Sequence, residues 1–210
     1  KHLIKDPCNS RFLLVGPSGS GKSQILLELL RRMSDTYYHV YLICPNKDQI
    51  LYKYLNDALG ENITIYETVE ELPPHKELEP LNEPKFIIFD DCVSSSKSSL
   101  KLIADYFIGA RHSKCALAFL TQSFYDTPKI IRLNVNYIIL RKIGNNRDLS
   151  HIIKTYSIKD INREVLNKMY KYATNGDDPN FLMVDLENND NMFRRDFLEI
   201  LDPVDFGYQE

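Results

Sequence analysis

Phe12-Leu13-Leu14-Val15-Gly16-Pro17-Ser18-Gly19-Ser20-Gly21-Lys22-Ser23 sets the fold of the first half of this chain. Four apolar residues in a row, closed by glycine, predict a strand buried on both faces, as in a parallel sheet. Gly16 and Gly21 bracket four residues, and Lys22-Ser23 follow at once, which matches G-x-x-x-x-G-K-[ST]. Glycines let the backbone fold back so that several N–H groups point inward at phosphate oxygens. Gly16, Pro17, Ser18, Gly19, Ser20, Gly21, Lys22 and Ser23 are therefore the expected cradle for a nucleoside triphosphate. Lys22 adds a charge over the outer phosphates, and the Ser23 hydroxyl is placed to join a magnesium shell. Ile25, Leu26, Leu29, Leu30 and Met33 then recur at helical spacing, so a helix starting near Lys22 aims its positive end at the same anion.

Outward from this loop the chain alternates short apolar runs with longer amphipathic segments, the pattern of an α/β fold with a mostly parallel sheet flanked by helices. Val40 to Cys44, Ile63 to Tyr66, Phe86 to Phe89, Ala116 to Leu120 and Tyr137 to Leu140 read as further strands. A helix is expected from about Asp48 to Leu59, with Ile50, Leu51, Tyr54, Leu55 and Ala58 on one side. Another ends near Gly109, and a short one covers Lys129 to Leu133. Glu70 to Pro84 carries Pro73, Pro74, Pro80 and Pro84 among acidic residues and reads as an exposed connector. Beyond Gly144 the pattern changes. Helices are expected over Arg147 to Tyr156 and Lys159 to Tyr172, then a turn over Asn175 to Asn180, then a C-terminal hairpin pairing Phe181 to Leu186 with Met192 to Phe197. Residues 1–210 are expected to form a single domain, with a core over about 11–142 and the C-terminal helices and hairpin over about 145–203.

Two more strand ends carry polar groups. Phe86-Ile87-Ile88-Phe89-Asp90-Asp91 puts two carboxylates where a buried strand leaves the sheet, the edge at which ligands of parallel sheets sit. Asp90 is then placed to hold magnesium through water opposite Ser23, and Asp91 to orient or deprotonate the attacking water. The other reading is that the pair caps the next helix. Leu120-Thr121-Gln122 repeats the arrangement, and Gln122 can bond both the attacking water and the terminal phosphate; alternatively it is a loop-capping amide.

The bulk numbers bound the rest. The chain has 210 residues, 43% of them hydrophobic, and a formal net charge of −3, so no global positive field draws it onto nucleic acid. Cys8, Cys44, Cys92 and Cys115 form no C-x-x-C pair, which suggests a reduced, intracellular setting without zinc or a disulfide framework. No run approaches the roughly 18 apolar residues of a membrane span, so a soluble protein with no membrane partner is expected.

The phosphate loop, Phe89-Asp90-Asp91, Gly109-Ala110-Arg111-His112, and Thr121-Gln122-Ser123 followed by Pro128-Lys129-Ile130-Ile131-Arg132 resemble the FtsK–HerA-type genome-packaging ATPases of poxviruses, other large DNA viruses and virophages. The resemblance runs from about Phe12 to Leu140 and is fainter beyond. It implies a P-loop three-layer sandwich with a RecA-like core of the additional-strand, conserved-Glu type. It further implies an ATP- and Mg2+-dependent motor working as a homopentameric or homohexameric ring, which pumps double-stranded DNA into a capsid. The setting it implies is the host cell's virus assembly site or the virion. In such rings a neighbour's arginine reaches the transferred phosphate. Arg111 is the first candidate and Arg132 the second, with Arg141 and Arg147 behind them, each alternatively a surface ion pair. Ser94 to Ser99 with Lys97 is a candidate DNA-facing segment, or else a solvated loop. One departure is that the water-activating acid, commonly glutamate in the wider group, is Asp91 here. Two rival functions remain open. One is a non-motor P-loop enzyme, such as a nucleotide kinase or GTPase. The other is an ATP-binding assembly or structural factor with slow hydrolysis.

Overall fold

The computed structural model describes residues 4–78, 80, 82–143, 146–156, 161–176, 180–188 and 190–208, with only the backbone for 146, 147 and 153. Its strands are β1 (Arg11–Val15), β2 (His39–Ile43), β3 (Ile63–Tyr66), β4 (Lys85–Asp90), β5 (Cys115–Thr121), β6 (Tyr137–Leu140), β7 (Leu182–Asp185), β8 (Phe193–Arg195) and β9 (Glu199–Ile200). The helices are α1 (Lys22–Arg32), α2 (Ile50–Leu59), α3 (Lys97–Gly109), α4 (Lys129–Arg132), α5 (Asn146–Tyr156) and α6 (Arg163–Ala173). All nine strands form one sheet in the order β3-β2-β4-β5-β1-β6-β7-β8-β9. The first six are mutually parallel, and β7, β8 and β9 continue the sheet antiparallel.

Strands buried on both faces must be covered on both, and two apolar cores do this. On one face Phe12, Leu14, Phe86 and Ile88 pack with Ile25, Leu26 and Leu29 of α1 and Tyr52 and Leu55 of α2. On the other, Leu13, Val15, Ile87 and Phe89 pack with residues of α3, α4, α5 and α6. The result is a three-layer α/β arrangement with the expected mostly parallel sheet. Its register matters for function. Val15 pairs with Thr121 and with Leu140, and Asp90 pairs with Leu120, so β1, β4, β5 and β6 end at one edge. β5 is inserted between the phosphate-loop strand and the acidic strand, as the additional-strand core requires.

Several expectations need correction. The buried side of α2 is carried by Tyr52 and Leu55, whereas Ile50 and Tyr54 are 87% and 64% exposed. The apolar residues of that segment cover more than one face, so periodicity alone chose the wrong one. The proline-rich connector is not simply exposed either, because Val69, Leu72 and Leu78 are buried in the core beside α3. The Tyr106 hydroxyl donates to the Pro73 carbonyl, and His75 Nδ1 lies 2.9 Å from Ser113 Oγ. Composition reported the acids and prolines and hid these anchors. The last helix begins at Arg163, capped by Asn162, whose side chain accepts from Val165 N. Residues 157–160, expected to begin it, and 177–179 of the expected turn lie outside the described residues. The hairpin strands are shorter than expected and are followed by β9. The chain turns between β8 and β9 through Asp196 at φ 55°, a left-handed residue that ends the extended run.

Cys44, Cys92 and Cys115 are buried, Cys8 is half-buried, and all four are free thiols. Among the described residues, no helix is long and apolar enough to cross a membrane.

Candidate active site

The loop from Gly16 to Gly21 is held by its own backbone and by a distant arginine. Gly16 N donates to Thr121 O at 3.1 Å, which fixes the loop's start to the end of β5. Gly19 and Gly21 sit at φ 70° and 87°, in the left-handed region that a Cβ would strain. Gly16 is needed for room: a Cβ there would meet Ser20 Oγ at 2.6 Å and Arg141 Cβ at 2.7 Å. Arg141, just past β6, donates from Nε to Ser20 O at 2.6 Å and also to Asn180 O. It therefore braces the loop from behind. α1 starts at Lys22 with no side-chain cap and no acid in its first turn, so its leading N–H groups are left for an anion. Ser20 Oγ is sealed from solvent without a hydrogen-bond partner.

Lys22 Nζ donates to Gly16 O at 2.7 Å and Pro17 O at 3.0 Å. An ammonium has three donors, so a third remains for a phosphate oxygen. Burial pushes the Lys22 pKa below the usual lysine value, and Asp90 and Asp91 pull it back up. Asp90, at the end of β4, is 7% exposed. Burial raises its pKa, opposed by a hydrogen bond from Tyr52 and by the Lys22 charge. Asp91 follows at φ 54°, exposed and turned away from the strand direction.

These groups meet in one cavity of about 330 Å³, lined among others by Lys22, Ser23, Asp90, Asp91, Thr121 and Gln122. Of the sequence-predicted phosphate, metal and water-handling residues, Ser18 to Ser23, Asp90, Asp91 and Gln122 share this space at the carboxyl edge of the sheet, while Gly16 and Pro17 do not line it. An adjoining cavity of about 360 Å³ continues from Asp91 and Gln122 over Ser94, Ser123 and Asp126. The helix-cap alternative for Asp90-Asp91 does not hold, because Ser96 is the N-cap of α3 and accepts from Ser99 N. Nor is Gln122 what holds the loop after β5. That role falls to Asp148 of α5, which is 1% exposed and accepts from Phe124 N at 3.2 Å and Tyr125 N at 3.1 Å.

The arginines fall in different places. Arg111 lies exposed in the 3-10 turn Ala110–Ser113, ahead of β5 and so at the opposite edge of the sheet from its own phosphate loop. It is therefore remote from the phosphate cavity of its own chain. Arg132 donates from Nε to Thr127 O at 2.9 Å and sits 5.1 Å from the Phe124 ring centroid, braced within its own chain. Arg141 is the loop brace already described. The Arg147 side chain lies outside the described residues. In the Ser94 to Ser99 segment, Lys97 opens α3 and is exposed, while Ser99 Oγ donates to Glu70 Oε1 at 2.5 Å.

Sequence reasoning missed Tyr52 and Asp148, and it offered Arg141 only as an arginine for a neighbour's phosphate, not as the brace of its own loop. Tyr52 was hidden because an aromatic residue on an amphipathic helix reads as core. Arg141 and Asp148 lie far from the loops they hold, and only the register of β6 and the placement of α5 bring them close.

Among the described residues no cluster of three or more His, Cys, Asp or Glu side chains is arranged to hold a metal ion. The donor set nevertheless fits magnesium, which keeps several waters and binds through one or two protein groups plus substrate phosphates. Ser23 offers a hydroxyl, and Asp90 a buried carboxylate that a nearby cation would compensate.

A glycine-rich loop between a parallel strand and a helix, facing an acidic strand end across one inserted strand, defines a P-loop nucleoside triphosphatase fold. The chain belongs to the Poxvirus A32 protein family, whose model matches residues 1–185. It is 25% identical over 189 residues to the DNA packaging protein OPG160 of monkeypox virus, covering 83% of this chain and 60% of that protein. The chain thus spans well under the full length of that relative. Its fold is similar to that of B204, the DNA-packaging ATPase of Sulfolobus turreted icosahedral virus. There the TM-score is 0.64 at 17% identity, over 91% of this chain and 98% of the other. The genome-packaging NTPase B204 of Sulfolobus turreted icosahedral virus 2, in complex with ATP-gammaS, aligns with TM-score 0.64 at 18% identity, over 92% and 99% of the two chains.

Proposed function

We propose that this chain is the ATP-hydrolysing motor subunit that drives double-stranded viral DNA into a capsid. The observation that carries the reading is the single cavity in which Lys22, Ser23, Asp90, Asp91 and Gln122 face one another. In this reading the backbone N–H groups of Gly16 to Ser23 and the Lys22 ammonium bind the phosphates of ATP. Ser23 and Asp90 would hold Mg2+, which when bound neutralises charge on the phosphate oxygens. Asp91 takes the proton of the attacking water, and Gln122 orients that water against the terminal phosphate. Arg111 of a neighbouring copy offsets charge on the transferred phosphate, with Arg132 a second candidate. That division of labour requires a neighbouring subunit, and in this reading the subunits form a pentameric or hexameric ring with DNA in its channel, Lys97 as a candidate phosphate contact, and capsid proteins as further partners. The site of action is the host cell's assembly site or the virion, by analogy with the packaging proteins it resembles.

ATP turnover measured against protein concentration and added double-stranded DNA tests the reading. Turnover that rises faster than protein concentration, increases with DNA and disappears in Lys22→Ala is expected. Turnover indifferent to DNA and to concentration sinks the motor and favours an ATP-binding assembly factor. Preference for GTP, or phosphate transfer to a small acceptor, would favour the other P-loop enzymes.

A further inference from the structure

Tyr52 lies on α2, is 1% exposed, and is used by none of the steps above. Its hydroxyl donates to Asp90 Oδ2 and lies 3.5 Å from Ser23 Oγ. One phenol therefore touches both residues assigned to the metal. A hydroxyl carries one hydrogen and two lone pairs. Here the hydrogen is committed to Asp90, and the lone pairs remain for a donor arriving between Asp90 and Ser23, such as a metal-bound water.

The helix that carries Tyr52 also reaches other parts of the molecule. Gln49 and Leu51, on either side of its first residue, line the phosphate cavity. One turn on, Tyr54, Leu55 and Ala58 wall an apolar groove between α1 and α2. The same helix thus meets the metal-holding pair through Tyr52 and this groove through the residues that follow it.

We propose that Tyr52 is a positioning residue for the magnesium–nucleotide: its hydroxyl orients the Asp90 carboxylate beside Ser23, and it ties α2 to the metal site. The proposal rests on Ser23 and Asp90 being the metal-holding pair. A partner that orients a metal-holding group typically contributes about 10- to 100-fold in metal affinity.

The test is Tyr52→Phe, which removes only the hydroxyl. Binding of ATP-gammaS is titrated with EDTA and then across Mg2+ concentrations, and amide hydrogen exchange of residues 50–59 is followed in the same conditions. Affinity in EDTA should match the parent protein, whereas the tightening produced by Mg2+ should fall roughly 10-fold. In the parent, α2 amides should gain protection with Mg2+ and ATP-gammaS beyond that seen with ATP-gammaS and EDTA, and in Tyr52→Phe that gain should vanish. An unchanged Mg2+ dependence in Tyr52→Phe, with Asp90→Asn impaired, overturns the role of Tyr52 and leaves the metal assignment standing. Unchanged Mg2+ dependence in both variants overturns the metal assignment as well. Should Tyr52→Phe not fold, the parent's exchange decides: α2 amides indifferent to Mg2+ overturn the proposal.

Discussion

Arg141 Nε donates to the carbonyl oxygen of Ser20 at 2.6 Å, although 121 residues separate the two. The same guanidinium donates to Asn180 O, and the Arg141 carbonyl accepts from the Tyr170 hydroxyl at 3.1 Å. The back of the phosphate loop is thus fastened to α6 and to the segment entering β7. Charge-assisted hydrogen bonds of this kind contribute about 1.5–3 kcal/mol. Arg141→Ala should lower thermal stability by that order and weaken nucleotide binding about tenfold, measured by unfolding scans and ATP-gammaS titration. Arg141→Lys should recover little, because an ammonium lacks the planar fork that spans two carbonyls.

Gly16→Ala should lose nucleotide binding with the sheet intact. The added methyl must displace Ser20 Oγ or Arg141 Cβ, both under 3 Å away, and overpacking of this kind costs about 1–3 kcal/mol. Combining it with Arg141→Ala should not rescue binding, since alanine keeps the clashing Cβ. Recovery in the double variant would show that the arginine's outer atoms, not its Cβ, set the limit.

Asp91→Asn should bind ATP-gammaS as the parent does while slowing turnover by about 10²- to 10⁴-fold, the usual contribution of a positioned general base. Asparagine tolerates the left-handed backbone as well as aspartate does, so the fold should be untouched. Normal hydrolysis by Asp91→Asn would remove Asp91 from the chemistry.

Asp148→Ala should destabilise the loop that presents Gln122. It strips the acceptor from Phe124 N and Tyr125 N, and leaving a buried donor unsatisfied costs about 1–3 kcal/mol. A lower melting temperature, with faster amide exchange confined to residues 121–128, is the expected signature.

His75 should make the connector sensitive to acid. Burial lowers its pKa from the ordinary value, with Lys76 adding to the effect. On acidification the unfolded chain therefore takes up the proton first, beginning near pH 6.5. Stability contributed by His75 is fully present above that pH and is lost progressively as the pH falls toward the lowered folded value. Compared with the parent, His75→Gln should show a flatter decline in melting temperature between about pH 7 and 5.

The parallel core was legible because each of its strands is an apolar run ending at a turn or a polar residue, from Val15-Gly16 to Phe89-Asp90 and Leu120-Thr121-Gln122. That pattern has a direct physical cause, since a strand covered on both faces tolerates polar groups only at its ends. The chemical groups were legible for the same reason: they sit at those ends. The orientation of α2 was not legible, because Ile50, Leu51, Tyr54 and Leu55 offer competing apolar faces and only the sheet decides between them. Nor were the anchors of the connector, since Val69, Leu72 and Leu78 are spaced through acids and prolines. Long-range braces such as Arg141 and Asp148 leave no local trace, as each is an ordinary charged residue until its distant partner is known. The turn into β9 at Asp196 was equally silent.

The torsion at Asp91 bears on which residues that position admits. A side chain on a residue of positive φ crowds the neighbouring carbonyl, and among non-glycine residues asparagine and aspartate accept that crowding most readily, because a short polar group bonds locally. Glutamate, one methylene longer, loses that compensation. The substitution Asp91→Glu would therefore exchange a tolerated corner for a more crowded one, and the longer side chain would start from a backbone pushed out of line. The backbone at that corner favours aspartate over glutamate independently of any chemistry its carboxyl group performs.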